Sequence, residues 1–249
     1  MGLDYHKTIR NKLKVLIGKI RDFSKIQGQN YFVDTAPVLE RALARNAGLG
    51  WIGKNTNLID KSNGSCFFHA EIFTDLPLPL DRPANNHCGT CSACIDICPT
   101  QAIVGPYQLD ARKCISYLTI ENRKSIPVEM RKAIGNRIFG CDDCQTICPW
   151  NKFAKRVKEK DFLTRSTLMD QPLEELFLWS ENEWKKNTQE TSLQRPGYTG
   201  WLRNIAVALG NAESTEGILN SLRSRANEKS TMVKEHVLWA LEQPTEKRN

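Results

Sequence analysis

Apolar side chains recur every three or four positions in the first part of the chain. Residues 4–27 carry them at Ile9, Leu13, Leu16, Ile17 and Ile20, with basic residues between them. This spacing places the apolar positions on one side of an α-helix. We therefore predict that the chain opens with an amphipathic helix that buries a single face.

The pattern then changes to a short strand followed by a second helix. Residues 31–34 are predicted to form the strand and residues 35–47 the helix. Gly48 is expected to end this helix, because glycine readily adopts the left-handed conformation just beyond a helix. The side chains expected to face inward are Leu39, Ala42 and Leu43.

Two further strands are predicted on either side of a turn. Residues 57–60 and 66–74 form the strands, and residues 62–64, Ser-Asn-Gly, supply the turn. Cys66 stands beside two phenylalanines in the second strand and is expected to be a buried thiol. The first part of the chain thus reads as a mixed α/β unit.

A proline-punctuated segment, residues 76–83, marks a boundary before a cysteine-rich module. After Trp150 the chain becomes basic and then helical. Residues 201–210 and 233–241 resemble the paired helices of one HEAT-like α-solenoid repeat. Because about three repeats are usually needed for independent stability, we expect this part to dock on the rest of the fold.

The composition fits a folded chain. Of 249 residues, 40% are hydrophobic and 25% are charged, which is close to the globular average and argues against disorder. No apolar run approaches the roughly 18 residues of a membrane-spanning helix, and the charged start lacks the apolar stretch of a signal peptide. We expect a cytoplasmic, monomeric protein with no membrane contact.

The charge balance weakly favours an anionic partner. Lys and Arg number 35 against 28 Asp and Glu, a formal net charge of +7. Basic residues concentrate in residues 152–160 and between Cys114 and Cys141. This distribution is typical of a nucleic-acid surface, although a solvated basic helix face would give the same pattern.

Eight of the nine cysteines fall between Cys88 and Cys148. Such clustering in a chain without a signal peptide indicates metal-binding thiolates rather than a disulfide framework. The first set is Cys88, Cys91, Cys94 and Cys98, followed by Pro99. This Cys-x2-Cys-x2-Cys-x3-Cys-Pro run is the bacterial two-cluster ferredoxin motif, in which the fourth cysteine serves the other cluster.

A second set supplies three of the four cysteines that a second cluster needs. Cys141, Cys144 and Cys148 keep the spacing, but Ile138 occupies the slot of the first cysteine, and Cys114 is the available substitute. We assign one 4Fe-4S cluster to Cys88, Cys91, Cys94 and Cys148, and the other to Cys98, Cys114, Cys141 and Cys144. Zinc is the alternative, since Cys-x2-Cys pairs also bind zinc.

The segment Gly48-Leu-Gly50-Trp-Ile-Gly53 matches the dinucleotide-binding pattern G-x-G-x-x-G. That pattern has meaning only after a strand and before a helix, and the predicted order here is reversed. We favour a tight loop that brings the backbone close to another large ligand. Asp34 follows the first strand and is either a helix cap or a site residue.

Several of these segments together resemble one protein family. They are Asp4-Tyr5-His6, residues 33–41, residues 47–55, both cysteine sets and residues 134–137. Over most of its length the chain is similar to the tRNA epoxyqueuosine reductases. The resemblance implies a cobalamin-dependent iron–sulfur oxidoreductase that catalyses the last step of queuosine synthesis, at the wobble position of tRNA.

The implied reaction turns an epoxide into an alkene with two electrons and two protons, and water is lost. Low-potential clusters, fed by a separate electron donor, would pass single electrons to the cobalt. The implied fold class is α+β. Its three parts are a partial cobalamin-binding α/β domain over residues 1–81, a ferredoxin-like two-cluster domain over 82–155, and a HEAT-like helical tRNA-docking region over 156–249.

The resemblance also implies roles for particular residues. Asp34 matches the family's proposed proton donor. The residues that would line the cobalamin are Asp34, Lys54, Asn55, Leu58, His69, Ser116, Cys141 and Asp142. The residues expected to contact tRNA phosphates are Lys124, Arg131, Arg195 and Arg203.

Family members carry a sizeable stretch ahead of the Asp-Tyr-His motif, close to which this sequence begins, and we expect the complete cobalamin site to need it. Two other functions stay open. A reductive dehalogenase-like cobalamin enzyme would share the plan of a corrin and two clusters. A ferredoxin-like electron-transfer module would explain the cysteines but would leave Asp34 and the helical tail without a role.

Overall fold

The structure is a computed structural model that describes residues 2–24, 28–163 and 171–243. The helices are α1 Tyr5–Ser24, α2 Glu40–Asn46, α3 Ala93–Asp96, α4 Ile115–Ile120, α5 Val128–Ile134, α6 Asp143–Thr146, α7 Leu173–Leu178, α8 Glu181–Asn187, α9 Gly197–Asn211, α10 Glu216–Ser224 and α11 Thr231–Leu241. The strands are β1 Gln29–Phe32, β2 Trp51–Ile52, β3 Leu58–Ile59, β4 Glu71–Thr74, β5 Ile103–Gly105 and β6 Gln108–Leu109. They pair antiparallel as β1 with β4, β2 with β3 and β5 with β6. This mixture of helices and strands agrees with the predicted α+β class.

Helix α1 confirms the predicted opening helix, whose last expected residues, 25–27, lie outside the described ones. Leu13 and Ile17 are buried, together with Thr8. Leu16, in contrast, is 46% exposed. The buried stripe is therefore narrower than the sequence pattern predicts.

The second predicted helix is shorter than expected. Helix α2 begins only at Glu40, because Asp34 adopts a left-handed backbone with φ +53 and Pro37 disfavours a helical conformation in the residue before it. The inward orientation predicted for the first apolar position is wrong, since Leu39 is 80% exposed. Leu43, expected to be buried as well, is 42% exposed.

The glycine-rich segment serves close backbone packing. Gly48 has φ +72 and ends α2, as predicted. A Cβ atom on Gly50 would lie 2.3 Å from the carbonyl oxygen of Ile59 on β3, so only glycine lets β2 and β3 approach. Because helix α2 precedes the glycines and strand β2 follows them, the dinucleotide alternative lacks its structural context.

Of the strand predicted over residues 66–74, only Glu71–Thr74 is a strand. Cys66 lies before it in an irregular segment and is exposed. The prediction of a buried thiol in a strand is therefore wrong. The segment instead places Phe67 and Phe68 in the lining of a cavity that Asp34 also lines.

The cysteine-rich module is built from two similar halves. A four-residue helix follows the first cysteines of each set, α3 in one half and α6 in the other, and the two helices pack together. The chain then turns at Cys98-Pro99 and again at Cys148-Pro149, where the cysteine carbonyls accept the amides of Gln101 at 3.1 Å and of Asn151 at 2.9 Å.

The C-terminal helices enclose the largest apolar core. Helix α9 lies between α7 and α11, and Phe177, Ile205, Leu222 and Val237 are fully buried. The other side of α9 faces the connector, residues 115–140, which lies between Cys114 and Cys141. Val207 packs there against apolar side chains of the connector. As expected, the helical tail leans on the rest of the fold.

Buried polar side chains of α9 bind the connector. Arg203, 0% exposed, donates hydrogen bonds to the carbonyls of Leu118 at 2.7 Å and Lys124 at 2.7 Å. Asn204 donates to the carbonyls of Thr119 at 2.7 Å and Ile138 at 2.9 Å. Both side chains thus provide hydrogen-bond donors to backbone carbonyls of the connector.

Two of the expected phosphate contacts are therefore corrected. Burial lowers the pKa of Arg203 to about 10. Its guanidinium N–H groups donate to carbonyl oxygens inside the protein. Arg131 is 1% exposed, pairs with Glu235 and lies 5.5 Å from the ring of Trp239. Neither side chain is free to reach a phosphate at the surface.

His236 makes the stability of this region depend on pH. Its ring, 0% exposed, accepts the amide of Ile126 at 3.1 Å, and burial lowers its pKa from 6.5 to about 4. A histidine that must stay neutral in the fold stabilises it fully above pH 6.5, and this stabilisation is lost as the pH falls toward 4. The shift corresponds to about 3 kcal/mol.

We expect His236→Gln to remove this pH dependence while keeping an acceptor for Ile126. Chemical denaturation between pH 4.5 and 7 should show that the variant is less stable than the wild type at pH 7 and that the gap narrows as the pH falls. Stability curves that run parallel over this range would contradict the prediction.

Candidate active site and metal centres

Four of the clustered cysteines line one cavity of about 330 Å³, the Cys88 cavity. They are Cys88, Cys91, Cys94 and Cys148. The indole N–H of Trp51 donates to the Sγ of Cys88 at 3.4 Å. Lys54 donates from Nζ to the carbonyls of Gly89 and Cys91, both at 2.8 Å. A hydrogen-bond donor and an ammonium group thus lie where they would offset the charge of thiolates.

The other four cysteines line a second cavity of about 510 Å³, the Cys98 cavity. They are Cys98, Cys114, Cys141 and Cys144. The amide of Ala102 donates to the Sγ of Cys98 at 3.2 Å. Burial, followed by the neighbouring thiols, raises the pKa of Cys144 to about 12. A bound cation would be needed to hold such a group as a thiolate.

The two cavities divide the eight cysteines in the same way as the assignment made from the sequence, with Cys98 and Cys148 exchanged between the halves. Within the described part of the chain, no three His, Cys, Asp or Glu side chains are arranged to hold one metal ion. A single zinc ion needs a tight tetrahedron of ligands. Four thiols lining a cavity of about 330 Å³ or 510 Å³ are compatible with a group larger than a single ion, such as a cubane.

Asp34 lies at the edge of the Cys98 cavity, amid side chains from distant parts of the chain. The hydroxyl of Tyr5 donates to its Oδ2, and the guanidinium of Arg195 lies 3.5 Å from the same oxygen. The Nε2 of His6 lies 4.0 Å away. Burial, and then the hydrogen bond to Asp34, raises the pKa of Tyr5. Asp34 is thus held among three polar partners.

A second layer of carboxyl groups lies behind Asp34. The amide of Asp34 donates to the Oε1 of Glu40 at 2.6 Å. Glu71 on β4 faces Glu40, and burial together with the Glu40 carboxyl raises the pKa of Glu71 to about 7. Nearby, burial lowers the pKa of His69. The carboxyl group of Glu71 therefore keeps its proton to a higher pH than an ordinary glutamate does.

Asp34 also lines a third cavity, of about 670 Å³, the Phe68 cavity. Its lining combines apolar with polar side chains, namely Leu58, Phe67, Phe68, His69 and Asp142. Asp34 and Asp142 line both this cavity and the Cys98 cavity, so the two adjoin.

The residues predicted to line cobalamin fall in three places. Asp34, Leu58, His69 and Asp142 line the Phe68 cavity. Asn55, Ser116 and Cys141 line the Cys98 cavity. Lys54 lies at the Cys88 cavity with its ammonium bound to Gly89 and Cys91. The expectation for the Lys54 side chain is therefore corrected, because it clamps a cysteine loop instead.

Asn55 also has a structural task, since its side-chain amide is buried and donates to the carbonyl of Cys144 at 3.1 Å. Of the expected phosphate contacts, Lys124 is exposed, whereas Arg195 is partly buried beside Asp34. The contacts of Arg195 with Tyr5 and Asp34 could not be predicted from the sequence.

Sequence reasoning assigned no role to several residues around Asp34. Tyr5, His6 and Glu40 stood within the quoted motifs, so their neighbourhood carried a signal. Glu71 carried none, since a single glutamate in a short strand is ordinary. Pairing of β4 with β1, Glu71 opposite Phe32, places this residue near Asp34.

No helix in residues 2–24, 28–163 and 171–243 has the length and apolar character needed to cross a membrane.

Known proteins are similar to this chain over nearly its whole length. Residues 87–151 match the family model of a 4Fe-4S double cluster binding domain. The epoxyqueuosine reductase of Xanthomonas campestris is 59% identical over 243 residues, which cover 98% of this chain and 68% of that protein. The chain therefore spans about two thirds of the length of this relative.

Solved structures give the same result. An epoxyqueuosine reductase crystallised with an epoxyqueuosine-modified tRNA stem loop superposes with a TM-score of 0.86 at 32% identity, over 96% of this chain and 64% of that one. The Bacillus subtilis epoxyqueuosine reductase, with its catalytic aspartate loop swung out of the active site, superposes with a TM-score of 0.82 at 31% identity, over 96% and 63%. Similarity of this extent in sequence and fold shows that the chain belongs to the epoxyqueuosine reductase family.

Proposed function

We propose that the protein reduces epoxyqueuosine to queuosine at the wobble position of tRNA, the last step of queuosine synthesis. Two electrons and two protons enter, the epoxide oxygen leaves as water, and an alkene remains. The observation that carries the proposal is the position of Asp34. Its carboxyl group lies at the junction of a cavity lined by four cysteines and a cavity large enough for part of a cofactor or substrate.

Electrons would enter through two 4Fe-4S clusters. The Cys88 cavity would hold one cluster and the Cys98 cavity the other. Because Asp34 lines only the second of these, the Cys98 cluster would be the one nearer the reaction, and the Cys88 cluster would accept electrons from a separate low-potential donor. The indole and amide N–H groups that reach Cys88 and Cys98 would tune the cluster potentials.

The Phe68 cavity fits part of a cobalamin. Apolar faces of Leu58, Phe67 and Phe68 suit a large ring, and the buried Nε2 of His6 beside Asp34 has no hydrogen-bond partner among the described residues. Asp34, Leu58, His69 and Asp142 would hold the group, with Ser116 and Cys141 reached through the adjoining cavity. When bound, its cobalt would supply low-potential electrons to the epoxide.

Asp34 would act as the general acid that protonates the epoxide oxygen as it leaves. Tyr5 and Arg195 orient the carboxyl group through its Oδ2. After proton transfer, the guanidinium of Arg195 would stabilise the carboxylate that forms. His6, stacked on Tyr5 with ring centroids 4.2 Å apart, would keep this side of the site rigid.

The basic surface supports tRNA as the substrate carrier. Lys124 and the exposed basic residues of the segment 152–160 would contact phosphates without reading the base sequence. Arg195 would act nearer the modified base. The match to a relative solved with a modified tRNA stem loop supports this role.

We propose the domain boundaries predicted from the sequence, residues 1–81, 82–155 and 156–249, with one qualification about contacts. The connector packs on α9, so the cluster module and the HEAT-like helices share one core.

The two alternative functions explain less. An electron-transfer module, or a dehalogenase-like enzyme, would not account for the basic surface or for the similarity to tRNA-modifying relatives.

The proposal is tested in cells whose own reductase gene has been deleted. Expression of the gene that contains this sequence should convert epoxyqueuosine in their tRNA to queuosine, as measured by mass spectrometry of nucleosides. Persistence of epoxyqueuosine together with an intact, iron-loaded protein would overturn the proposal.

Replacing Cys114 by Ser should remove one cluster, because the other three thiols that line the Cys98 cavity would already serve as its ligands. Iron content should fall from about eight to about four per chain, and the EPR spectrum should lose one signal. Cys66→Ser, at an exposed thiol outside both cysteine-lined cavities, is the control. Unchanged iron in the Cys114 variant would mean that another ligand completes the cluster.

Replacing Asp34 by Asn should leave both clusters intact and lower kcat by at least about 100-fold, the usual contribution of a general acid. Single-turnover conversion of an epoxyqueuosine-bearing stem loop measures the effect. Asp22→Asn on the exposed side of α1 should react like the wild type. Retained turnover in the Asp34 variant would reject its role as the acid.

A further inference from the structure

The backbone of Asp34 is held in an unfavourable conformation. Its φ of +53 lies in the left-handed region, which is uncommon for residues with a side chain, although Asp and Asn adopt it more often than the others. A strained residue at a site persists only when its surroundings over-determine it. Something must therefore fix Asp34 with its side chain among Tyr5, His6 and Arg195.

The hydrogen bonds of the loop identify what holds it. The amide of Asp34 donates to Oε1 of Glu40 at 2.6 Å, across the six-residue step from the end of β1 to the start of α2. A second contact comes from α1, where Arg10 donates to the hydroxyl of Thr35 at 2.7 Å. Only the first bond acts on the strained residue itself.

Glu40 is not occupied in capping its own helix. Leu39 is the N-cap residue of α2, and no side-chain hydrogen bond caps the helix. Behind Glu40 lies Glu71, placed there by the pairing of β4 with β1. The carboxyl group of Glu40 therefore bridges the β1–β4 sheet and the loop that carries Asp34.

We infer that Glu40 is a positioning residue for Asp34: by accepting the Asp34 amide, it holds the left-handed backbone and with it the direction of the Asp34 side chain. This inference rests on the proposed function, in which Asp34 is the acid. Glu40 acts through Asp34 and takes no part in proton transfer to the substrate. Its carbonyl-type oxygen is what matters, so an amide oxygen should serve nearly as well.

Three variants test the inference in the full-length protein. Glu40→Ala removes the acceptor and should lower kcat at least tenfold, with the KM for the modified stem loop within twofold. Glu40→Gln keeps an acceptor and should retain kcat within threefold. Glu129→Ala changes an exposed glutamate in the first turn of α5, another seven-residue helix, and should have no effect.

Hydrogen–deuterium exchange gives a readout that needs no turnover. The peptide that contains Asp34 should exchange faster in Glu40→Ala than in the wild type or in Glu40→Gln, while iron content stays the same. If Glu40→Ala does not fold, Glu40→Asp replaces it, since a shorter arm moves the acceptor away and should give the same changes to a smaller extent.

Equal losses of kcat in the Ala and Gln variants would overturn the inference, because they would assign the effect to charge. So would unchanged kcat and unchanged exchange in Glu40→Ala, or a change confined to KM. If the wild type makes no queuosine, the proposed function alone is wrong. The exchange measurement would still test whether Glu40 holds the backbone of Asp34.

Discussion

The arrangement of eight thiols around two cavities is the constraint on which the rest of this structure depends. The module that carries them has little regular structure, and its helices α3 and α6 have only four residues each. Burial raises the pKa of thiols such as Cys141, Cys144 and Cys148. Metal cores would neutralise these groups and tie together loops that bury too little apolar surface to hold themselves.

The C-terminal helices stabilise this module through its connector. Arg203 and Asn204 on α9 satisfy carbonyls of the connector, and Arg131 fills the space beneath Trp239. Some of the basic residues that the sequence pattern assigned to a nucleic-acid surface are buried in the structure. Their positive charges hold the segment that separates Cys114 from Cys141, and so the connector presents both cysteines to one cavity.

The environment of Asp34 is assembled from parts of the chain that are far apart in sequence. Helix α1 brings Tyr5 and His6, the segment before α9 brings Arg195, and α2 brings Glu40. Tyr5, His6 and Arg195 lie around Oδ2 of the carboxyl group, whereas Glu40 accepts the backbone amide. The orientation of a single carboxyl group thus depends on the packing of the N-terminal unit against the C-terminal helices.

The sequence by itself determined the features that depend on local spacing. The cysteine spacings, with their Cys-Pro endings, indicated two clusters, the three-to-four-residue apolar period predicted α1, and Gly48 marked the end of α2. These follow from the geometry of a loop or a helix turn, which neighbouring residues alone dictate. The resemblance to a family supplied Asp34.

Only the tertiary structure decided which charged residues are free and which are structural. Arg131 and Arg203 were expected at the surface but lie in the core, Lys54 clamps a cysteine loop, and Cys66 is exposed. Burial and partner choice depend on elements that are far apart in the chain, such as α9 and the connector, whose hydrogen-bonded residues are separated by 66 to 85 positions. A local sequence pattern does not predict those contacts, because the free energy that favours them arises only when the elements pack.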